Sequence, residues 1–291
     1  MTLPVRVRAP ATTANLGPGF DCAGIALELW NELEVSEGDG VDVEGEGADE
    51  LPRDAAHLGV RAFSLVASPE GKRFRFTNRI PLARGLGSSA ATIAAGLVAA
   101  TLTEGRWPQA EPLLARALEL ESHADNLAAA LAGGVCLTWR SDGVQRIARV
   151  AQRLPLVPIA VVPESRVETE AARAALPAQV SHADAAFSVG RAALLGAGLV
   201  AGAPELLAEA FHDRLHEPYR APLAPLLGAV RARLPAGAVG ATLSGSGPTV
   251  IVWAREKTAA ACAGELETRF REARVPWLAV SEVGAGPATG R

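Results

Sequence analysis

The sequence predicts an α+β protein with enough core for two modest domains or one large one. Extended segments cluster in pairs instead of alternating strictly with helices, unlike a parallel α/β chain. Apolar residues make up 49% of the 291 positions against 21% charged, a composition that buries readily and gives no sign of disorder. Several stretches are rich in alanine and leucine and free of proline, as helices require.

Residues 5–9 read as a strand and residues 10–21, punctuated by Pro and Gly, as turns. A second extended stretch covers residues 25–36, and the acidic, glycine-rich residues 38–54 predict a hairpin with loops. A helix follows over 57–67, then an exposed strand over 73–80, where RFRFTNRI alternates with period two. Helices are expected at 90–103 and 111–122, with a short one after Asp125. Residues 134–139 and 156–162 read as strands. The polar stretch 140–153 between them places a boundary near residue 150, dividing the chain into 1–150 and 151–291. Helices around 169–176, 182–201 and 204–211 precede the loop HDRLHEPYRAP and a helix near 225–234. Strands at 240–243 and 249–254 flank a glycine–serine turn, a helix covers 257–273, and residues 276–283 end the chain as an edge strand.

Charge narrows the function classes. The formal net charge is −4 and the isoelectric point near 5.8, which disfavours a dedicated nucleic-acid binder. Cys22, Cys136 and Cys262 form neither a CxxC pair nor a disulfide framework, as expected in a reducing cytosol. The N-terminus lacks a signal-peptide apolar region, and the longest apolar run, residues 90–102, is too short to span a membrane. A soluble, cytoplasmic protein is expected, with neither nucleic acid nor membrane as partner. His212 and His216 stand at i, i+4 without a third ligand and read as exposed helix-end histidines, not a metal pair.

The sharpest motif is PLARGLGSSAAT, residues 81–92. Gly85 and Gly87 permit backbone conformations closed to other residues, Ser88 and Ser89 supply hydroxyls, and a helix begins immediately behind them. Helix N-terminal amides with their partial positive charge favour an anion such as phosphate; the plainer reading is a serine N-cap. A Walker loop is excluded because no lysine is near. Gly85-x-Gly87-x-x-Ala90 formally fits a dinucleotide fingerprint with Glu104 as ribose acid. Residues 79–84, however, are not a buried strand, and Glu104 falls in a turn. Three further segments carry polar groups on loops: PATTANLGPGFD (10–21), ESHADN (121–126) and GATLSGSGPTV (240–250). Taken singly they read as an Asn-capped turn closed by Asp21, a helix end with an N-cap at Asp125, and a flexible turn.

Together, and in this order, these segments resemble the GHMP small-molecule kinases, and within them the homoserine kinases. The resemblance spans roughly residues 5–255; the phosphate loop carries the superfamily, while PATTANLGPGFD, ESHADN and the segment around Arg220 narrow it. It implies a ribosomal-S5-like N-terminal domain (1–150) that binds ATP and a ferredoxin-like C-terminal domain (151–291). It also implies phosphorylation of the side-chain hydroxyl of L-homoserine, with ATP and Mg²⁺, by a homodimer. The phosphates would lie on Pro81, Leu82, Ala83, Arg84, Gly85, Leu86, Gly87, Ser88, Ser89, Ala90 and Ala91. Ser89 and Glu121 would hold Mg²⁺, with Glu119 a competitor if the helix end takes another register.

A carboxylate asks for arginine, so Arg173 and Arg220 would take that end of the substrate, with Thr169 nearby and Gly245 in the C-terminal glycine motif. Asp21 would take the ammonium, and Asn15 and Asn126 the hydroxyl, with His123 in the same loop. Asn126 stands where mevalonate kinases carry an aspartate base. An amide accepts no proton, so catalysis would rest on positioning, and Asp125, one residue off, would point away. Thr13, Cys22, Ser122 and Ser246 depart from the commoner family residues without removing a proposed ligand.

Overall fold

The structure is a computed structural model that describes residues 3–288. Its first sheet is built on a hairpin of β1 (Val5–Asn15) and the 19-residue β2 (Gly19–Glu37). The antiparallel register runs from Val5 opposite Val35 to Asn15 opposite Gly19. Strand β4 (Lys72–Asn78) pairs antiparallel with the far half of β2. Strand β3 (Gly40–Gly45) then pairs parallel with β4, so residues 38–54 are not the expected hairpin. A parallel pair needs a long return, and the segment with α1 (Leu58–Ser64) provides it. The polar stretch 140–153 is also strand: β5 (Val135–Ser141) and β6 (Val144–Ala151) form a hairpin on the near half of β2. It reads as a linker because β6 is exposed or half-exposed along its whole length.

Helix α2 (Ser88–Thr103) lies against β1 and β2 with 13 of its 16 residues buried, which accounts for the lack of any charge in it. Helix α3 (Ala110–Ala117) ends a turn earlier than expected: Glu119 N–H and Leu120 N–H bond back three residues, to Arg116 and Ala117 carbonyls. That tightening frees residues 118–123 from the helix. Helix α4 (Ala124–Ala132) starts at an N-cap of His123, so Asp125 lies in its first turn and is not the cap.

The second sheet has order β7 (Leu156–Val161), β9 (Val250–Arg255), β8 (Ala238–Leu243), all antiparallel. Alternation divides its side chains between two cores. Ala160, Ile251 and Trp253 join the main core with the first sheet; Ile159, Val161, Val250 and Val252 face α9 (Leu226–Ala232) and α10 (Ala259–Arg269). Helix α5 (Thr169–Ala174) follows β7, and α6 (His182–Ala201) packs on α7 (Pro204–Ala210) through Leu195, Leu199 and Leu207, with Arg191 donating to Glu209. A four-residue helix α8 (Glu217–Arg220) lies in the HDRLHEPYRAP loop. By length and composition α6 is the one described helix that matches a membrane span, although Asp184 and Arg191 interrupt its apolar run.

Residues 276–283 are not a simple edge strand. The tail first bonds to β7 (Ala160 N to Pro276 O, 2.9 Å), then crosses to β2 (Glu28 N to Ala279 O, 2.9 Å). It ends as β10 (Gly286–Pro287) against β1.

His57 caps α1: its Nδ1 accepts from Gly59 N at 3.2 Å and its ring lies 4.0 Å from the Phe76 ring. Burial pushes its pKa from 6.5 down to about 4. The unfolded chain therefore takes up a proton near pH 6.5 that the folded state refuses until about pH 4. The stability of the fold is full above that window and declines as pH falls through it. His57→Asn, which keeps an acceptor for the cap, should lower Tm at pH 7.5 but flatten its decline toward pH 5. An unchanged slope in thermal melts would remove His57 as the cause.

Candidate active site

The phosphate-loop residues form a turn between the two sheets. Gly87 is the N-cap of α2 at φ 68°, and no side chain caps the helix, so the serine-cap reading of this loop does not hold. A Cβ on Gly87 would lie 1.9 Å from Thr12 Oγ1, and one on Gly85 would lie 2.2 Å from the Ser244 carbonyl oxygen; only glycine fits either place. The loop is pinned from both sides. Thr12 N donates to Leu86 O at 3.0 Å, Ser244 Oγ to Gly85 O at 2.6 Å, and Val167 N to Ala83 O at 3.0 Å.

A cavity is lined by Pro81, Ala83, the loop from Arg84 to Ser89, Asn126, Thr169 and Gly245. Leu82 is outside the lining. Ala90 and Ala91 bury their side chains in the core, and Ala91 N–H is given to Gly87 O. Arg84 lines the cavity but commits its guanidinium to the carbonyls of Leu82, Pro163 and Glu164. It ties the loop to the segment after β7.

At the mouth of α2, Ser89 Oγ lies 3.5 Å from Glu121 Oε2, while Glu121 Oε1 lies 3.0 Å from His123 Nδ1. This hydrogen bond holds the Glu121 carboxyl below its usual pKa range and lifts the His123 imidazole above its own. Glu119 lines the same cavity as Glu121 but pairs with Arg116 at 3.0 Å. Among the described residues no group of three or more His, Cys, Asp or Glu is placed to hold a metal ion. Mg²⁺ needs none: one ionised carboxylate, one hydroxyl, phosphate oxygens and water satisfy its octahedral, all-oxygen preference, and Ser89 with Glu121 fits that donor set.

Asn126, on the first turn of α4, faces the loop: Thr12 Oγ1 donates to its Oδ1 at 2.7 Å. Asp125, expected to point away, lines neither this cavity nor the surface. It is buried, its Oδ1 accepts from Asn126 N at 2.7 Å and Nδ2 at 3.3 Å, and burial raises its pKa to about 6. Asn15 closes the first loop, with Oδ1 accepting from Asp21 N (3.0 Å) and Nδ2 donating to Gly245 O (2.9 Å).

The three charged residues expected around the substrate, Asp21, Arg173 and Arg220, do converge, with one difference. Arg173 and Asp21 hold each other in a bidentate ion pair, Nη1 to Oδ2 2.8 Å. Arg220 is buried at 2% exposure and bonds only carbonyls and an imidazole: Nε to Ala172 O (3.3 Å), Nη1 to Gly245 O (3.1 Å) and to His216 Nδ1 (3.2 Å). Burial and the neighbouring Arg173 lower its pKa. The guanidinium carbons of Arg173 and Arg220 lie 5.0 and 5.3 Å from the Phe20 ring centroid. A second cavity, lined by Glu121, His123, Thr169 and Arg173, shares Thr169 with the phosphate-loop cavity.

The sequence does not single out Thr12, Phe20, Asp213 or Ser244. His216, expected on the surface, is fully buried. Asp213 had a legible signal, an Asp four residues before a Glu-Pro helix start. Its Oδ2 accepts from His216 N (2.7 Å) and Glu217 N (2.9 Å).

Comparison with known proteins settles the lineage. The family model for the GHMP kinases N terminal domain matches residues 51–134, and that for the GHMP kinases C terminal matches residues 192–272. The homoserine kinase of Streptomyces coelicolor is 47% identical over 88% of this chain and 86% of its own. The chain belongs to the homoserine kinases of the GHMP kinase family. The homoserine kinase of Moorella thermoacetica is 41% identical over 86% of this chain and 87% of its own. A crystal structure of homoserine kinase from Cytophaga hutchinsonii superposes with a TM-score of 0.88 at 29% identity, covering 99% and 98% of the two chains. The α+β GHMP kinase fold implied by the family resemblance is therefore the fold of this chain.

Proposed function

We propose that the protein transfers the γ-phosphoryl group of ATP, with Mg²⁺, to the side-chain hydroxyl of L-homoserine, yielding O-phospho-L-homoserine for threonine biosynthesis. The observation that carries the substrate is Arg220. Three of its five N–H groups are fixed on protein acceptors, and Nη2 has no partner among the described residues. Two donors on a buried guanidinium ask for a carboxylate, and the Asp21–Arg173 pair beside it completes an amino-acid site. An amino acid's ammonium and carboxylate can replace each partner of that pair with a partner of the same sign, leaving no charge unpaired.

In this reading residues 1–150 carry the ATP loop and residues 151–291 the arginines. The phosphates rest on the amides and hydroxyls of Gly85, Gly87, Ser88 and Ser89. Ser89 and Glu121 hold Mg²⁺, which when bound neutralises charge on the β- and γ-phosphates. Glu121 keeps His123 oriented, and Asn126, held by Thr12, orients the substrate hydroxyl for in-line attack. The bond from the γ-phosphorus to its bridging oxygen breaks as the bond to the homoserine oxygen forms, and the hydroxyl proton ends in solvent. Asn126 takes no proton, so the rate comes from alignment and charge neutralisation. An ADP-release assay across homoserine, mevalonate, galactose and shikimate tests the reading. Turnover of another alcohol without homoserine would overturn it.

The three free cysteines support a reducing, cytoplasmic setting. The outer face of α6 supports a homodimer. Ala186, Val189, Gly190, Ala193, Ala197 and Val200 recur at helical spacing, all exposed and uncharged, with Val189 and Val200 at 68% and 67%. Val189→Asp should convert a dimer to a monomer by light scattering while homoserine turnover persists. A parent protein that runs as a monomer, or a variant that stays dimeric, would refute the interface.

A further inference from the structure

The loop that carries Arg220 holds a buried histidine to which the catalytic scheme gives no part. His216 is fully buried, and its ring spans two segments far apart in the chain. Nε2 lies 2.8 Å from Gly17 O, in the first loop, and Nδ1 lies 3.2 Å from Arg220 Nη1. A carbonyl only accepts, so the proton is on Nε2. Nδ1 is then a lone pair, and Arg220 donates to it. The ring also stacks on Phe20, with centroids 4.9 Å apart and planes 18° from parallel. Phe20 in turn adjoins both guanidiniums.

We propose that His216, as the neutral Nε2–H tautomer, is a positioning residue that sets the plane of the Arg220 guanidinium and locks it in register with the loop bearing Asn15 and Asp21. The inference rests on the carboxylate role given to Arg220 above. Three fixed points determine a plane: Ala172 O on Nε, and Gly245 O and His216 Nδ1 on the two hydrogens of Nη1. Remove the imidazole lone pair and Nη1 keeps one anchor, so the direction in which Nη2 offers its free hydrogens to the substrate carboxylate is no longer fixed. The neutral state is physically favoured. Burial pushes the His216 pKa to about 4, and Arg220 opposes a further positive charge. Asp213 Oδ2, 3.7 Å from Nε2, is beyond hydrogen-bond reach and serves the backbone amides of α8 instead.

Two isosteres separate positioning from packing. In His216→Asn the amide oxygen can occupy the Nδ1 place and accept from Arg220; in His216→Gln the amide nitrogen can occupy the Nε2 place and donate to Gly17, leaving Arg220 without its acceptor. His216→Gln should raise the homoserine KM about tenfold or more, as losing a hydrogen bond to a charged group does. His216→Asn should restore most of that loss, and both should leave the ATP KM within about twofold of the parent, the margin left by a site the substitution does not touch. Equal homoserine KM values for the two variants, or an ATP KM rising in parallel, would overturn the proposal. Should either variant fail to fold, ¹⁵N-histidine spectra of the parent decide. A neutral Nε2–H tautomer that persists to pH 6, with an Nδ1 resonance that moves on adding homoserine, is expected; an Nδ1–H tautomer or an imidazolium at that pH would refute it. Failure of the substrate reading is distinguishable, because the parent would then not turn over homoserine at all.

Discussion

Arg220→Ala should raise the homoserine KM by about 10- to 100-fold, the loss of a charge-assisted hydrogen bond worth roughly 1.5–3 kcal/mol. The ATP KM should stay near the parent value, because Arg220 is not among the residues lining the phosphate-loop cavity. The same substitution takes a donor from Ala172 O and His216 Nδ1 and leaves Gly245 O with Asn15 Nδ2 alone, so a lower Tm is expected alongside. A second variant separates the two effects. Arg173 is more exposed and its pair with Asp21 lies at the surface, so Arg173→Ala should raise the homoserine KM with a smaller change in Tm. Steady-state kinetics with each substrate varied in turn decide the matter: a parallel loss for ATP and homoserine would take the carboxylate role away from Arg220.

Glu121→Ala should lower kcat by about 10²–10³-fold, the usual cost of removing one preorganised electrostatic group from a reacting centre. It should also raise the Mg²⁺ concentration needed for half-maximal rate. The fold should survive, since the Glu121 side chain is about a quarter exposed (28%) and lies outside regular structure. A readout independent of activity is available in His123. Its pKa is raised chiefly by the hydrogen bond to Glu121, so in the variant an NMR titration should place it lower. Glu119→Ala provides the comparison, because Glu119 pairs only with Arg116. If Glu119→Ala were the more damaging of the two, the metal assignment would fall to the other carboxylate.

How much of this was legible in the sequence follows from how local each feature is. The phosphate loop needs two glycines and a helix start within a few residues, and it reads directly. Helix α2 reads directly too, because a chargeless run is buried almost all round. The carboxylate site does not. Asp21 and Arg173 are 152 positions apart, and Arg220 reaches Gly17 through His216, 199 positions from its carbonyl partner. No spacing rule reaches that far, and without the family resemblance both arginines read as surface charges. Parallel pairing of β3 with β4 was hidden for a related reason. An acidic, glycine-rich segment carries hairpin signals, and strand direction depends on partners elsewhere in the chain. His216 was misplaced because a histidine within a run of charged residues looks solvated, whereas Asp213 folds that loop back over it.

The tail beyond α10 has a thermodynamic consequence. Its amides and carbonyls bond first to β7 of one sheet and then to β2 and β1 of the other, and the main core already runs across both. Neither half can melt without tearing the tail from its own strands, so heat should release the chain in a single step whose calorimetric and van't Hoff enthalpies agree. Cutting the chain before Arg274 would remove that tie and let the two halves part at different temperatures.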